Sequence, residues 1–294
     1  MKIIDCITYF DEPELFEIRA NILNKFVDNF VVIEARHTHS GEKKKLNFNI
    51  NKYPDFKSKI IYLTIDEQPS DLIIDKNLSS SEKRFNSLKR IDQSYNKALD
   101  YLKDCCPDDL FILSDVDEIP NLEKLNFKKI ESKIIIFKQK MFYYKFNLYY
   151  DLIPWFGSKA CKVKNLTSPS FLRHTKTKKY PFWRFDTWLS KVKHSSVKIV
   201  EDGGWHFTNI KSPEKILEKY LNFGHHNEYE DNRIKLDDIK KMVHEKSIGY
   251  NHLADQKEKN KISFNSYKLK KVAIDVLPKY IYDHKEKYKE FIEY

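Results

Sequence analysis

The stretch LFILSDVDEIP, residues 110–120, joins an apolar run to three carboxylates. The run LFILS is typical of a strand that is buried on both faces of a parallel sheet. Asp115, Asp117 and Glu118 follow at the point where this strand should end. Because ligands of parallel α/β sheets bind at the carboxyl ends of the strands, the stretch predicts a buried strand with a candidate binding site at its end.

The rest of the first 140 residues repeats this alternation of apolar runs and helical patterns. Further β-branched runs predict strands at 2–8, 30–35, 59–65 and 133–138. Apolar stripes at helical spacing predict helices over 13–26 and 82–103. A later helix is predicted with Ser212 as its N-cap and Pro213 in its first turn. Alternating strands and helices predict an α/β fold whose central, mostly parallel sheet has helices on both faces.

Composition limits the partners that the chain could have. The net charge is +10, which would fit nucleic acid, an anionic membrane surface or phosphorylated small molecules. No helix-turn-helix, RNP-type or zinc-finger signature is present in the sequence, so nucleic acid is not an expected partner. The lysine-rich run 257–271 is interpreted as a solvated face, and contact with an anionic membrane or acceptor surface is the alternative.

Cysteine usage and hydropathy indicate the compartment. The four cysteines form no CxxC pair, which suits neither a disulfide framework nor a zinc site, so we expect them to be reduced. No run of 18 apolar residues occurs, and Asp5 interrupts the N-terminal apolar stretch. These features predict a cytoplasmic protein that is either free or peripherally bound to a membrane.

The spacing of Asp115 and Asp117 suits a divalent cation. Side chains at i and i+2 of a strand project to one side, and carboxylate oxygens are the ligands that Mg²⁺ and Mn²⁺ prefer. The sequence has no P-loop, GxGxxG, GxSxG or HExxH motif, which leaves metal-dependent chemistry such as that of nucleotide-sugar transferases, phosphatases and nucleases. The alternative is an acidic turn that caps a helix near Asn121.

Four segments, in order along the chain, resemble glycosyltransferase family 17. They are IIDCITYFDEPELFEIRANIL, VDNFVVIEARHTHSGEKKKLNF, PDDLFILSDVDEIP and GGWHFTNIKSPEKILEKY. The segment with the two aspartates is the most specific of them. Residues 145–200 and those beyond about 250 match the family pattern poorly, so their binding roles are not implied by the resemblance.

The resemblance implies a GT-A-type fold and an inverting transfer of a sugar, with UDP-N-acetylglucosamine as the expected donor and a glycan as the acceptor. It also implies Mn²⁺ or Mg²⁺ as the cofactor. Asp117 would ligate the metal directly, and Asp115 would reach the ribose, the metal or a metal-bound water. One domain is expected, with a nucleotide-binding half (1–140), an acceptor-side half (141–255) and a basic helical C-terminal segment (256–294).

Other residues take expected roles at the donor. Glu34 would accept hydrogen bonds from uracil or ribose, and Ser40 and Gly41 would let their loop approach the nucleotide. Arg90 would bind the diphosphate, with Arg84 as a rival. Glu34 could instead be a cap or surface carboxylate, and Arg90 could instead be an exposed helix charge.

The metal and the proton transfer leave several candidates. His206 in GGWHF is a candidate metal or pyrophosphate ligand, with a core histidine as the alternative. Inverting transfer needs a carboxylate that accepts the proton of the acceptor hydroxyl. Asp186, which aromatic residues flank, is preferred, and Glu118, Glu201 and Glu228 are the other candidates.

Two further functions remain open from the sequence. One is a transferase of the same fold with another donor sugar, or with a lipid-linked or polysaccharide acceptor. The other is a catalytically idle glycan-binding protein that keeps the fold, against which the intact DVD motif argues.

Overall fold

The computed structural model describes residues 1–177, 196–222, 234–250 and 262–294, together with positions 183, 190 and 193. Two of the predicted catalytic carboxylates, Asp186 and Glu228, lie outside the described residues.

Strands and helices alternate through the first half, as the sequence predicts. The strands are β1 Ile3–Thr8, β2 Asn29–Ala35, β3 Ile60–Ile65, β4 Leu110–Asp115, β5 Glu118–Pro120, β6 Ile134–Phe137, β7 Gln139–Tyr143, β8 Leu148–Trp155, β9 Lys159–Lys162, β10 Val197–Val200, β11 Gly204–Thr208, β12 Ser247–Tyr250, β13 Ile262–Lys268 and β14 Lys270–Lys271. The helices are α1 Pro13–Leu23, α2 Ser80–Asn96, α3 Leu99–Leu102, α4 Pro169–His174, α5 Pro213–Asn222, α6 Leu236–His244 and α7 Lys279–Asp283.

The main sheet has seven strands in the order β10-β6-β9-β4-β1-β2-β3. Strand β1 pairs in parallel with β2 and β4, β2 with β3, and β6 with β10. Strand β9 is antiparallel to both β4 and β6. The mostly parallel α/β sheet is therefore confirmed. It extends beyond residue 140, because β9 and β10 belong to it.

Helices cover both faces of this sheet, because side chains of a strand point alternately to its two faces. In β1, Ile3 and Ile7 pack in the core that α1 also enters, whereas Ile4 and Cys6 pack in the core that α2 and α4 enter. Burying each such aliphatic side chain contributes roughly 1.5–3 kcal/mol. The carboxyl ends of β4, β1 and β2 lie side by side at one edge, where Thr8 is level with Asp115 and Ile33.

A second sheet of five strands, in the order β14-β8-β7-β11-β5, meets the first at the quoted stretch. Strand β5 directly follows the β4 turn, and β11 pairs antiparallel with it so that His206 is level with Glu118. Gly204 has φ +131°, and a Cβ there would lie 2.1 Å from the carbonyl oxygen of Ile119. This close approach explains the glycine and places the GGWHF segment against the acidic turn.

Two predicted helices differ from the structure. The predicted helix over 82–103 begins earlier, because Ser79 and Glu82 form a capping box, and it is divided into α2 and α3. The C-terminal segment 256–294 was expected to be helical, but it contains the strand Ile262–Lys268, and its α-helix within the described residues is the short α7. In ISFNSYK, polar residues separate Ile262 from Phe264 and Tyr267, and β12 supplies a partner strand. No helix in the described ranges is long and apolar enough to cross a membrane.

Candidate active site

The two aspartates lie where the two sheets meet. Asp115 ends β4 and accepts hydrogen bonds from Thr8 Oγ1 (3.0 Å) and Tyr95 Oη (3.1 Å). Asp117 lies in the turn before β5, and its backbone carbonyl oxygen accepts from the N–H of Phe207 (2.8 Å). The turn does not cap a helix, since Asn121 caps the following 3₁₀ turn with its own side chain. The side chains of Asp115 and Asp117 therefore bind partners other than a helix N-terminus.

Arg173 of α4 joins Asp115 to Glu118. Its Nη2 donates to Asp115 Oδ2 (2.7 Å) and to Glu118 Oε1 (2.8 Å), and its Nη1 donates to Glu118 Oε2 (2.6 Å). The guanidinium also lies 5.6 Å from the ring centre of Tyr95. Burial alone would lower the pKa of Arg173, but Asp115 and Glu118 outweigh burial and raise this pKa. The guanidinium is therefore a permanent positive charge that fixes the turn.

The Glu118 carboxylate that Arg173 binds is enclosed by groups of the protein. The Glu118 side chain is fully buried, and it also accepts from the indole N–H of Trp155 (2.7 Å) and the backbone N–H of Asp115 (2.9 Å). Burial alone would raise the pKa of Glu118, but Arg173 outweighs it and lowers this pKa. The Glu118 oxygens are thus occupied by protein donors, which favours a structural role for Glu118 over its predicted role as the catalytic base.

Asp117 has a different set of partners. Lys219 Nζ donates to Asp117 Oδ2 (3.1 Å), and His206 Nε2 lies 3.6 Å from Asp117 Oδ1. Burial alone would raise the pKa of Asp117, but the positive charge of Lys219 and the neighbouring His206 outweigh it and lower this pKa. The Asp117 carboxylate is therefore held in its ionised form by these neighbours.

Lys219 belongs to a row of lysines along α5 that faces acidic residues. Lys211, just before the helix, donates to Glu12 Oε1 (2.9 Å). Lys215 donates to Asp11 Oδ2 (2.8 Å). Positions spaced by four lie on one face of a helix, so this face of α5 is held against the loop after β1 and the acidic turn.

A buried ion pair between Arg19 and Asp5 supports the acidic turn. Arg19 of α1 donates to both oxygens of Asp5, at 2.6 and 2.7 Å, and both side chains are at most 1% exposed. Arg19 Nη1 also donates to the carbonyl oxygen of Glu118 (2.5 Å). This pair connects α1, β1 and the turn. It therefore fixes the backbone around Asp115 and Asp117.

The metal prediction can be tested against these donors. In the described parts of the chain, no cluster of three or more His, Cys, Asp or Glu residues could hold an ion. Mg²⁺ and Mn²⁺, however, are commonly bound by one or two protein ligands together with substrate phosphates. Two ligands at about 2.1 Å from one ion can lie at most about 4.2 Å apart. Asp117 Oδ1 and His206 Nε2, 3.6 Å apart, fit such an ion.

The ring of His206 is held by Trp155, on which it stacks with ring centres 4.6 Å apart. Its Nδ1 is buried without a hydrogen-bond partner among the described residues, so the acceptor that usually orients a metal-bound histidine is not supplied by them. The structure therefore brings together three of the predicted residues, Asp115, Asp117 and His206, around one turn.

The Glu34 carboxylate is bound by donor groups of the protein. This buried carboxylate accepts from Lys44 Nζ (2.5 Å), the backbone N–H of Asn47 (2.7 Å), the N–H of Phe48 (3.0 Å) and Tyr62 Oη (2.7 Å). These four donors saturate it. They favour a role for Glu34 in fixing the loop that follows β2 over the predicted contact with uracil or ribose.

Ser40, Gly41 and Arg90 form a separate group at the same edge of the sheet. Ser40 Oγ lies 2.7 Å from Thr38 Oγ1. Arg90 is 8% exposed and donates to Gln68 Oε1 (2.8 Å) and to the carbonyl oxygen of His39 (3.2 Å). A Cβ at Gly41, which has φ +107°, would lie 2.6 Å from Arg90 Nη2. Arg90 forms no ion pair with a carboxylate of the described residues, so its charge is available to an anion; it is not an exposed helix charge.

Comparison with known proteins decides the family. The model of glycosyltransferase family 17 matches residues 1–292. The chain belongs to glycosyltransferase family 17. The match confirms the resemblance carried by the four segments.

Relatives of this family 17 chain include two mammalian enzymes. The human beta-1,4-mannosyl-glycoprotein 4-beta-N-acetylglucosaminyltransferase is 27% identical over 133 residues, which cover 44% of this chain and 24% of the human protein. The rat protein of the same name is 27% identical over 133 residues, covering 44% of this chain and 23% of the rat protein. The alignment thus spans about a quarter of the length of each curated relative.

Solved structures resemble this family 17 chain only distantly. HddC from Yersinia pseudotuberculosis has a TM-score of 0.35 and 10% identity, covering 69% of this chain and 91% of that one. A putative glucose-1-phosphate thymidylyltransferase from Bacillus anthracis, in complex with a sucrose, has a TM-score of 0.35 and 12% identity, covering 70% and 88%. These scores are too low to bear on the function of the chain.

Sequence reasoning missed two site residues of this family 17 chain, Arg173 and Lys219. Lys219 could have been found, because the spacing of Lys211, Lys215 and Lys219 predicts one basic helix face. Arg173 has no such signal, because it lies in a short helix of a region whose sequence matches the family poorly.

Lys159 of β9 supports Arg173 and gives a pH-dependent prediction. Its buried Nζ donates to the carbonyl oxygens of Arg173 and Thr175. Burial, followed by the charge of Arg173, lowers the pKa of Lys159 to about 7. Between this pKa and the unfolded value the unfolded chain binds more protons, so the free energy of unfolding should rise with pH.

We expect urea unfolding of the wild type to show a rise from pH 7 to pH 9 that exceeds that of Lys159→Met by about 2 kcal/mol. Lys162→Met, on the same strand but paired with the exposed Asp108, is the matched control and should keep the wild-type rise. Equal slopes for the wild type and Lys159→Met would contradict the prediction.

Proposed function

We propose that this chain transfers N-acetylglucosamine from UDP-N-acetylglucosamine to a glycan acceptor, with inversion and with Mn²⁺ or Mg²⁺ as cofactor. The observation that carries the proposal is the acidic turn of a family 17 chain, with Asp115 and Asp117 at the carboxyl end of β4 where two sheets meet. This is the edge at which α/β sheets bind nucleotides. A GT-A-type arrangement is part of the same proposal.

An aromatic and cationic surface beside the turn supports a nucleotide at this edge. Phe10, just after β1, is half-buried, and Lys44 Nζ and Lys211 Nζ lie 5.4 and 5.8 Å from its ring centre. Lys44 also pairs with Glu34 and Lys211 with Glu12, so this surface offers ammonium groups to a phosphate rather than a free ring face to a base. Arg90, which pairs with no carboxylate of the described residues, is the further candidate for the diphosphate.

The residues around the turn would have different roles in the reaction. Asp117 and His206 would hold the divalent ion, which neutralises charge on the leaving diphosphate when bound. Arg173 holds the Asp115 carboxylate in place, so that Asp115 can reach the ribose or a metal-bound water. Asp186 and Glu228 remain the proposed candidates for the base that takes the acceptor proton as the hydroxyl attacks the anomeric carbon.

A donor panel tests the proposal. Thermal stabilisation and release of the nucleotide diphosphate are measured with UDP-GlcNAc, UDP-GalNAc, UDP-Glc, UDP-Gal and GDP-Man, each with Mn²⁺ or with a chelator. We expect UDP-GlcNAc with Mn²⁺ to stabilise the fold by about 2.7 kcal/mol at a hundredfold excess over its Kd. A response to GDP-Man alone, or one indifferent to the chelator, would contradict the proposal.

The acceptor is tested separately. Product formation is compared among free N-glycan, lipid-linked oligosaccharide and polysaccharide in the presence of the donor that the panel selects. We expect transfer to the free glycan. UDP-GlcNAc binding without turnover on any acceptor would favour the glycan-binding alternative instead.

A further inference from the structure

We propose that Lys219 is an exchangeable counter-ion: it pairs with Asp117 while the donor site is empty and moves to the donor diphosphate when a divalent ion takes Asp117. The inference rests on the proposed function, because it assigns the divalent ion and the diphosphate to this site. It adds a positioning role for Lys219 that couples the binding of the ion to that of the donor.

The first observation is that Asp117 already pairs with a cationic side chain. Lys219 Nζ lies 3.1 Å from Asp117 Oδ2, and the side chain of Asp117 is only 9% exposed. His206 Nε2 faces the other oxygen at 3.6 Å. A divalent ion would bind the carboxylate at about 2.1 Å, so it and the ammonium would repel each other at very short range. Binding of the ion therefore works against the Lys219 contact.

The second observation is that, among the described residues, a displaced Lys219 finds no vacant carboxylate beside it. Within that part of the chain, Glu12 is the other carboxylate whose charge acts on Lys219. Glu12 is already occupied, because it accepts from Lys211 Nζ and from the backbone N–H groups of Phe10 and Asp11. An anion that arrives with the ion is the partner that would satisfy the ammonium. A diphosphate has the required charge and acceptor oxygens.

The third observation is that Lys219 can move. It lies in the last turn of α5, its side chain is 21% exposed, and four methylene groups separate its ammonium from the backbone. Lys211 and Lys215 hold the same helix face to Glu12 and Asp11. The helix can therefore stay in place while the Lys219 side chain changes partner.

Thermodynamic linkage gives the direction in which Lys219 should change the binding of Mn²⁺ and UDP. In the wild type, Mn²⁺ alone must displace Lys219, so UDP should tighten Mn²⁺ binding, and Mn²⁺ should tighten UDP binding by the same factor. Lys219→Gln removes the competing charge. Mn²⁺ should then bind at least about tenfold more tightly without UDP, and the gain on adding UDP should shrink, within the range of about 5–150-fold typical of such couplings.

The experiment measures Mn²⁺ binding directly, by the electron paramagnetic resonance signal of free Mn²⁺, with and without UDP. Lys219→Arg keeps the charge and should behave as the wild type. Lys215→Gln, one turn earlier on α5 and paired with Asp11, is the matched control and should also leave Mn²⁺ affinity unchanged. If the glutamine variant does not fold, Lys219→Met, which keeps the aliphatic stem, replaces it.

The outcomes separate the inference from the proposed function. Unchanged or weaker Mn²⁺ binding by Lys219→Gln, in a wild type that binds Mn²⁺ with UDP, would overturn the inference alone. A wild type that binds no Mn²⁺ even with UDP would overturn both. Tighter Mn²⁺ binding by the glutamine variant together with a smaller UDP effect would support the exchange.

Discussion

Replacing Asp117 with asparagine should reduce UDP release from UDP-N-acetylglucosamine at least about 1000-fold, a loss of about 4 kcal/mol of transition-state stabilisation. Asparagine keeps the shape of the side chain but removes the charge that faces Lys219 and His206. The neutral amide is a poor ligand for Mn²⁺ or Mg²⁺ next to a lysine. The measurement is kcat/KM for donor hydrolysis at saturating Mn²⁺, together with the Mn²⁺ affinity of the variant.

The control for this variant lies at the other end of the same strand. Asp108, whose side chain is exposed, precedes β4 and pairs with Lys162 (3.0 Å). Asp108→Asn removes the same charge from the chain but leaves the turn intact, so its kcat/KM should stay within about threefold of the wild type. If Asp117→Asn kept more than a tenth of the wild-type rate, the turn would not be the centre of catalysis.

The fold was predictable where local pattern decides it. The five strands predicted in the first 140 residues correspond to β1, β2, β3, β4 and β6. Buried β-branched runs carry this signal within a few residues, so it survives without knowledge of the partners. The position of β9 between β4 and β6 carries no such signal, because strand order depends on contacts between distant parts of the chain.

The candidate site likewise has a part that the sequence predicts and a part that it does not. The acidic turn and its approach to His206 were predicted, because each lies in a distinctive short segment. The residues that bind the carboxylates were not, because Arg173 is 58 positions from Asp115 and Lys219 is 102 positions from Asp117. Glu34 was located correctly at the end of a strand, but its burial follows from the fold-back of residues 44–48, which periodicity does not reveal.

Arg173→Met should destabilise the protein by about 3–5 kcal/mol, because it leaves two carboxylates without their cation. Glu118 would be fully buried with only the indole of Trp155 and the N–H of Asp115 as donors. Asp115 would keep Thr8 and Tyr95 and is 36% exposed, so it would lose less. Urea unfolding at pH 7 gives the free energy directly.

A double-mutant cycle separates charge from packing in this prediction. In Arg173→Met, adding Glu118→Gln removes the uncompensated buried charge, so the pair should be less destabilised than the sum of the two single variants by about 2 kcal/mol. Arg36→Met, which removes an exposed guanidinium paired with Asp66, is the control and should cost less than about 1 kcal/mol. Additive effects at Arg173 and Glu118 would contradict the ion pair as the origin of the stability. With the pair established, loss of activity in Arg173→Met would follow from the release of Asp115, since both Nη atoms of Arg173 already donate to Asp115, Glu118 and the carbonyl oxygen of Gly157.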